Sequence, residues 1–400
     1  MTHFLIYKRE FGSSIEKAFY KDMSVPDFID RILTKRAVTF MNEDDNYKLL
    51  SGEEGRDGWE AVGTPHQRAP LLLENCLSYD EMKISALVYV SSQTECINDG
   101  NRHNMGIPMN EGIEQEAVII GMIGTRFERK NRMDYEDIVI TEQQNSLENG
   151  YGEEVTPTTC LNVLKTTYVR NNQSAKNMWR QMWSEFYQSP QRSYTERFVK
   201  LAAGEALFDN EVYYKRVSVL AECALLEAQR RALQGGRDAF LNVVGCGLGV
   251  WKISAHQTDV YVLTFLERVR AFLKRDLLDN VTDVNFAYIH PSESIVGEDK
   301  FCKFNFVQKY RCVYKSFRKL FHEGKLLVMT YAWDGNAHPG NEFWLGSLSG
   351  SGDPAAACST QVAELHNAHV NPALVAARAH VAARHAVLPV RDYCRQFLDH

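Results

Sequence analysis

The chain has 400 residues, 44% hydrophobic and 24% charged, with a net charge of −6, which is ordinary for a globular protein with ample core in one large or two medium domains. The acidic balance excludes a nucleic-acid binder that works by global electrostatics, and leaves room only for a local basic patch. The longest apolar stretches are strand-sized, so no transmembrane helix is expected and no membrane partner is called for.

Residues 1–70 mix short helical patterns with a polar stretch, Asn42 to Gly58, that reads as an exposed loop. This part is expected to be an N-terminal extension, and its start reaches Lys8, Arg9 and Glu10 too soon for a secretory signal. Between 71 and 140 the pattern is mostly β, with strand candidates at Leu71–Glu74, Ile84–Val90, Ala117–Gly124 and Asp137–Thr141. Two polar loops, 96–104 and 143–152, lie among them. Residues 158–208 look helical and aromatic and are read as an insertion. Met178, Trp179, Met182, Trp183 and Phe186 recur there at helical spacing, either as core or with one tryptophan free to stack on a ligand.

From residue 211 helices and strands alternate. A long helix over Val212–Leu233 ends at Gly235-Gly236, and a strand follows at Phe240–Val244. Next come a helix over Thr258–Leu273, a strand over Val281–Ile289, a helix over Phe306–Phe321 and a strand over Lys325–Trp333. That order predicts an α/β fold, a mixed sheet flanked by helices. The tail, 373–400, is rich in Ala and His and reads as a terminal helix or an appendage.

Two glycine loops follow strands. In the first, Gly245, Cys246, Gly247, Leu248, Gly249, Val250 and Trp251 form either a bland tight turn or a backbone cradle for a pyrophosphate. It is not Gly-x-Gly-x-x-Gly, which counts against a Rossmann-type transferase or oxidoreductase. The second runs from Asp334 to Pro354 and carries Asp334, Glu342 and Asp353 among Gly, Ser and Asn, including Asn336. Asp353-Pro354 reads as an N-cap and a first-turn proline. Carboxylates beside a phosphate-sized loop suggest acid/base work on a phosphorylated ligand, with a structural turn network as the alternative. The 98–104 loop, with Asn98 and Asp99, together with Arg126, Glu128 and Arg129, could orient ribose or adenine, or form solvated turns. Nine cysteines without a Cys-x-x-Cys pair indicate neither a disulfide framework nor a zinc knuckle, and point to a cytosolic or nuclear setting. No metal or cofactor is expected.

The stretch Phe240–Ile289 resembles the last third of a macrodomain, and Leu326–Gly346 is similar to that fold's other loop, in permuted order. Tyr331-Ala-Trp-Asp-Gly-Asn, Pro339-Gly-Asn-Glu-Phe-Trp and Ser351-Gly-Asp-Pro-Ala-Ala-Ala-Cys resemble a divergent macrodomain group. That group includes a bacterial effector that removes ADP-ribose from an arginine of ubiquitin, and eukaryotic relatives. The resemblance implies a catalytic domain over 71–372 that binds ADP-ribose and hydrolyses it from modified protein, with ubiquitin a candidate. It places Gly245, Gly247 and Gly249 on the diphosphate, Asp334 and Asn336 at the ribose bearing the scissile bond, and Glu342 or Asp353 in support. The alternative is a reader that binds ADP-ribose without cleaving it.

Overall fold

Continuous apolar runs build the centre of the molecule. In the computed structural model, residues 1–100, 106–141, 145, 197–201, 206–292, 311–313, 324–348, 359–383 and 386–397 are described. Six strands form the main sheet: β1 (Val90–Glu95), β2 (Glu116–Ile123), β3 (Ala239–Val244), β4 (Val281–Ala287), β5 (Arg311–Val313) and β6 (Leu326–Trp333). Their order is β5-β4-β3-β6-β2-β1. Every neighbouring pair is parallel except β1 with β2. The fold is therefore mixed α/β. Burial on both faces explains the unbroken apolar character of β2, where Ala117 to Ile123 are all buried.

The faces separate by the two-residue period of a strand. Val118, Ile120 and Met122 of β2 join Leu326 and Val328 of β6 in the larger core, under two helices, α6 (Asn210–Gly235) and α7 (His256–Leu273). Ile119 and Ile123 with Tyr331 and Trp333 face the other way, onto Ile29 and Leu33 of α3 (Val25–Thr34) and Val362. Helix α6 starts where the Asp209 carboxylate accepts from the backbone N–H groups of Glu211 and Val212, and stops at Gly236 in the left-handed region.

Before the sheet, α1 (Thr2–Phe11), α2 (Ser14–Tyr20) and α3 share a second core with Trp59. Ser13 with Glu16 and Ser24 with Asp27 close capping boxes that fix the starts of α2 and α3. The expected exposed loop at 42–58 is mostly exposed, and it also carries two strands, Asn46–Lys48 and Glu54–Gly55, of a small antiparallel meander that starts at Thr39–Met41. Tyr47 anchors it by packing on Trp59 with ring centroids 5.4 Å apart.

Other expectations are also corrected. Leu71 makes only an isolated bridge with Arg68, because Leu71 and Leu73 serve the second core from a turn. Ile84 belongs to α4 (Tyr79–Ser85), which Ser78 caps, and the following strand starts only at Val90. Asp137 closes α5 (Asp134–Ile138), and just Val139–Ile140 is strand. Within the helix expected over 306–321, the described residues Arg311–Val313 are β5, paired in parallel with Asp283–Asn285. The Ala/His-rich tail ends in a helix as expected, Val390–Phe397, but a hairpin, His380–Ala383 with Ala386–Pro389, precedes it. Most of the aromatic 158–208 stretch lies outside the described residues.

Candidate active site

Parallel strands discharge their loops at one edge of the sheet, where open α/β folds bind ligands. Here β2, β3, β4 and β6 deliver segments 124–126, 245–251, 288–290 and 334–340 to that edge. A cleft of about 530 Å³ opens at this edge between the 245–251 and 288–290 segments and the end of β6. Thr330, Tyr331 and Trp333 of β6 and Asn242 of β3 line it, with Tyr288 and His290 after β4.

The glycine turn forms one wall. Leu248 N–H donates to Gly245 O at 2.9 Å and Lys252 N–H to Gly249 O at 3.1 Å, closing two tight turns. Gly245, Gly247, Leu248, Gly249, Val250 and Trp251 all line the cleft. Cys246 does not; its side chain is buried in the larger core. Gly247 has φ +78°, and a Cβ there would lie 2.7 Å from Thr125 N. Gly124 is still tighter, since a Cβ would come within 2.3 Å of Cys246 C and Gly247 N. The indole Nε1–H of Trp251 donates to Glu128 at 3.0 Å and ties the turn to the segment after β2.

The 124–126 segment also reaches the acidic loop. Arg126, wholly buried, donates from Nη1 to Asn336 Oδ1 at 2.7 Å and to Asp334 O at 3.4 Å. Asp134 holds Arg126 in turn, and Arg216 braces Asp134 at 3.0 Å and the Ile123 carbonyl at 2.7 Å. Burial would favour the neutral form of Asp134, but Arg216 and Arg126 outweigh it and keep the carboxyl below its ordinary pKa.

Asp334 follows Trp333 directly and is half-buried. Its Oδ1 accepts from the N–H groups of Asn336 and Ala337 at 2.7 and 2.9 Å, so this oxygen shapes the loop and Oδ2 takes no part in the turn. Burial raises the Asp334 pKa against those hydrogen bonds and the charges of Arg126 and Arg36. Glu342 lies in the first turn of α8 (Asn341–Trp344). Burial pushes its pKa up to about 7, with the Asp334 charge adding to the effect. Its Oε2 is buried without a partner among the described residues. The loop thus pairs a carboxylate shaped by backbone donors with a carboxyl poised to hold a proton near neutrality.

The remaining expected residues fall as follows. Asp334, Asn336 and Glu342 are not among the residues lining the cleft; they belong to the loop that continues from its Trp333 wall. The Asn336 carbonyl is engaged by Arg126. Asn98 is buried and accepts from Gly100 N–H at 3.0 Å. It lines a small side cavity with Asp99, and among the described residues of that loop Gly100 reaches the main cleft. Asp353 lies outside the described residues. Sequence reasoning missed Arg36 and Arg216, which reach Gly335 and the Ile123 carbonyl from 299 and 93 positions away, and Asp134, which holds Arg126 from only eight positions along the chain. No local spacing signals Arg36 or Arg216.

A family model described as "ADP-ribosylhydrolase MavL-like" matches residues 1–396. Two Drosophila melanogaster proteins are similar along 99% of this chain. ADP-ribosylarginine hydrolase CG3568 is 41% identical, with 78% of its own length covered. ADP-ribosylarginine hydrolase CG2909 is 38% identical, with 79% covered. A glycine-walled cleft and a carboxyl pair at the carboxyl edge of a parallel sheet thus sit within a match that runs over nearly the whole chain, and the protein belongs to the MavL-like ADP-ribosylhydrolases, as an enzyme of that class.

Proposed function

We propose that this enzyme hydrolyses the N-glycosidic bond between ADP-ribose and an arginine of a modified protein, on a macrodomain-like scaffold. The names of the two fly relatives support arginine as the acceptor. The observation that carries the chemistry is the carboxyl pair Asp334 and Glu342, the latter pushed up to about 7 by burial and with an oxygen that has no partner among the described residues. The family counts against a non-cleaving reader and against a Rossmann-type enzyme.

In this reading the diphosphate lies against the backbone N–H groups of the 245–249 turn. The Asp334 carboxylate stabilises the oxocarbenium-like ribose as the C–N bond breaks, and takes a proton from the attacking water. Hydroxide oxygen joins the anomeric carbon, and protonated Glu342 gives its proton to the departing guanidine. Glu342 then recovers a proton from solvent and Asp334 loses one, so atoms and charges balance. Arg126 and the Asn336 and Ala337 N–H groups hold Asp334 in place throughout.

The test is release of ADP-ribose from an arginine-modified protein, with arginine-modified ubiquitin as the first substrate because of the resemblance to the ubiquitin-directed effector. Asp334→Ala should lower the rate by about 10³-fold, within the range for a positioned acid or base, while leaving the fold intact by circular dichroism. Full activity in that variant overturns the assignment.

A further inference from the structure

The segment that follows α3 is laid along the acidic loop. Ala37 pairs with Ala337 in an isolated parallel bridge, and His338 N–H donates to Ala37 O at 3.0 Å. The Asn341 side chain donates to Val38 O, and a ring nitrogen of His369 lies 2.8 Å from Thr34 O. Arg36 sits in the middle of this strap and is 3% exposed. Its Nη1 donates to Gly335 O, and its guanidinium lies 4.3 Å from the centre of the Trp333 ring. Nε and Nη2 have no partner among the described residues. A buried guanidinium left so underused carries a desolvation penalty that an apolar side chain would avoid.

We propose that Arg36 is a positioning residue for the hydrolysis: it clamps the Trp333–Gly335 corner from the segment after α3, fixes the direction of Asp334 and sets a guanidinium beside it. The inference rests on the reading that Asp334 acts in the reaction. Asp334 is faced by Arg36 from the strap, Arg126 from the segment after β2, Glu342 from α8 and the backbone N–H groups of Asn336 and Ala337. Removing either arginine therefore raises its pKa further. Lysine at position 36 keeps the charge but loses the planar fork and the stacking on Trp333.

The experiment compares wild type, Arg36→Met and Arg36→Lys for kcat and KM on arginine-ADP-ribosylated protein from about pH 5 to about pH 9. Arg36→Met should lose about 100-fold in kcat, the scale of a displaced catalytic group. KM should change little, and the acidic limb of the kcat profile should move to higher pH. Arg36→Lys should leave that limb in place and lose about tenfold in kcat, the charge being kept and the geometry loosened. A folded Arg36→Met with wild-type kcat and an unmoved limb overturns the inference. If Arg36→Met does not fold, Arg36→Lys decides: wild-type kcat there overturns the clamp. Asp334→Ala run alongside keeps the two ideas apart. Full activity in Asp334→Ala sinks the catalytic reading itself, whereas an inactive Asp334→Ala beside a fully active Arg36→Met sinks only the role of Arg36.

Discussion

The two loops at the carboxyl edge of the sheet are built in opposite ways. The 245–251 turn takes its shape mainly from its own residues, glycines, two short-range hydrogen bonds and an exposed rim at Val250, and is docked on the segment after β2 by Gly124 and the Trp251–Glu128 hydrogen bond. The 334–342 loop is made by others, with Arg126, Arg36 and the strap at 34–38 holding it from far along the chain. A loop that only offers backbone N–H groups to a ligand can be specified locally. A loop that must present carboxyls at raised pKa needs a dry, braced surrounding, and that surrounding comes from several elements.

The contrast breaks most sharply at Glu342. Glu342→Gln should reduce turnover by about 10³-fold, with ADP-ribose binding measured by calorimetry kept within a few-fold. In the wild type, kcat should fall as pH rises through about 7, where Glu342 loses its proton. A variant that keeps turnover would place the acid elsewhere.

The same residue sharpens the comparison through stability. Its pKa is higher folded, about 7, than its ordinary 4.5. The folded state therefore favours the proton, and the penalty develops as pH rises between those values. Glu342→Gln should be more stable than wild type at pH 8 by up to about 3 kcal/mol, and by little at pH 4. Urea melts at the two pH values check it, and an equal difference at both refutes the raised pKa.

The smallest effect belongs to the glycine turn. Gly247→Ala meets both the left-handed backbone and Thr125 N at 2.7 Å. It should weaken ADP-ribose binding about tenfold, equivalent to ~1.4 kcal/mol, with kcat on saturating substrate nearly unchanged. A kcat that collapses with binding intact would show that the two loops do not divide the work.

Much of the fold was legible because β2, β3 and β6 are largely apolar on both faces and because α6 has apolar residues at helical spacing and a glycine stop. The glycine turn was legible for the same local reason. Ile84 to Val90 misled because a buried helix end running into a turn has the composition of a strand. The meander at 39–55 was hidden by its charge, since Phe40, Tyr47 and little else of its strands point inward. The roles of Asp334 and Glu342 were half visible: sequence offered the carboxyls, but the burial that sets their proton affinity and the arginines that oppose it depend on the folded chain. Asn98 shows the reverse, a polar residue in a ligand-like loop whose carbonyl serves its own turn.

The contact at Gly124 has a mechanical consequence. With no room for even a methyl group between this residue and the Cys246–Gly247 peptide, the turn cannot shift inward without pushing the backbone two residues from Arg126. Arg126 in turn grips the carbonyl of Asp334. The wall of the cleft and the Asp334 loop are thus spaced by one short backbone segment, 124–126, which fixes the distance between them.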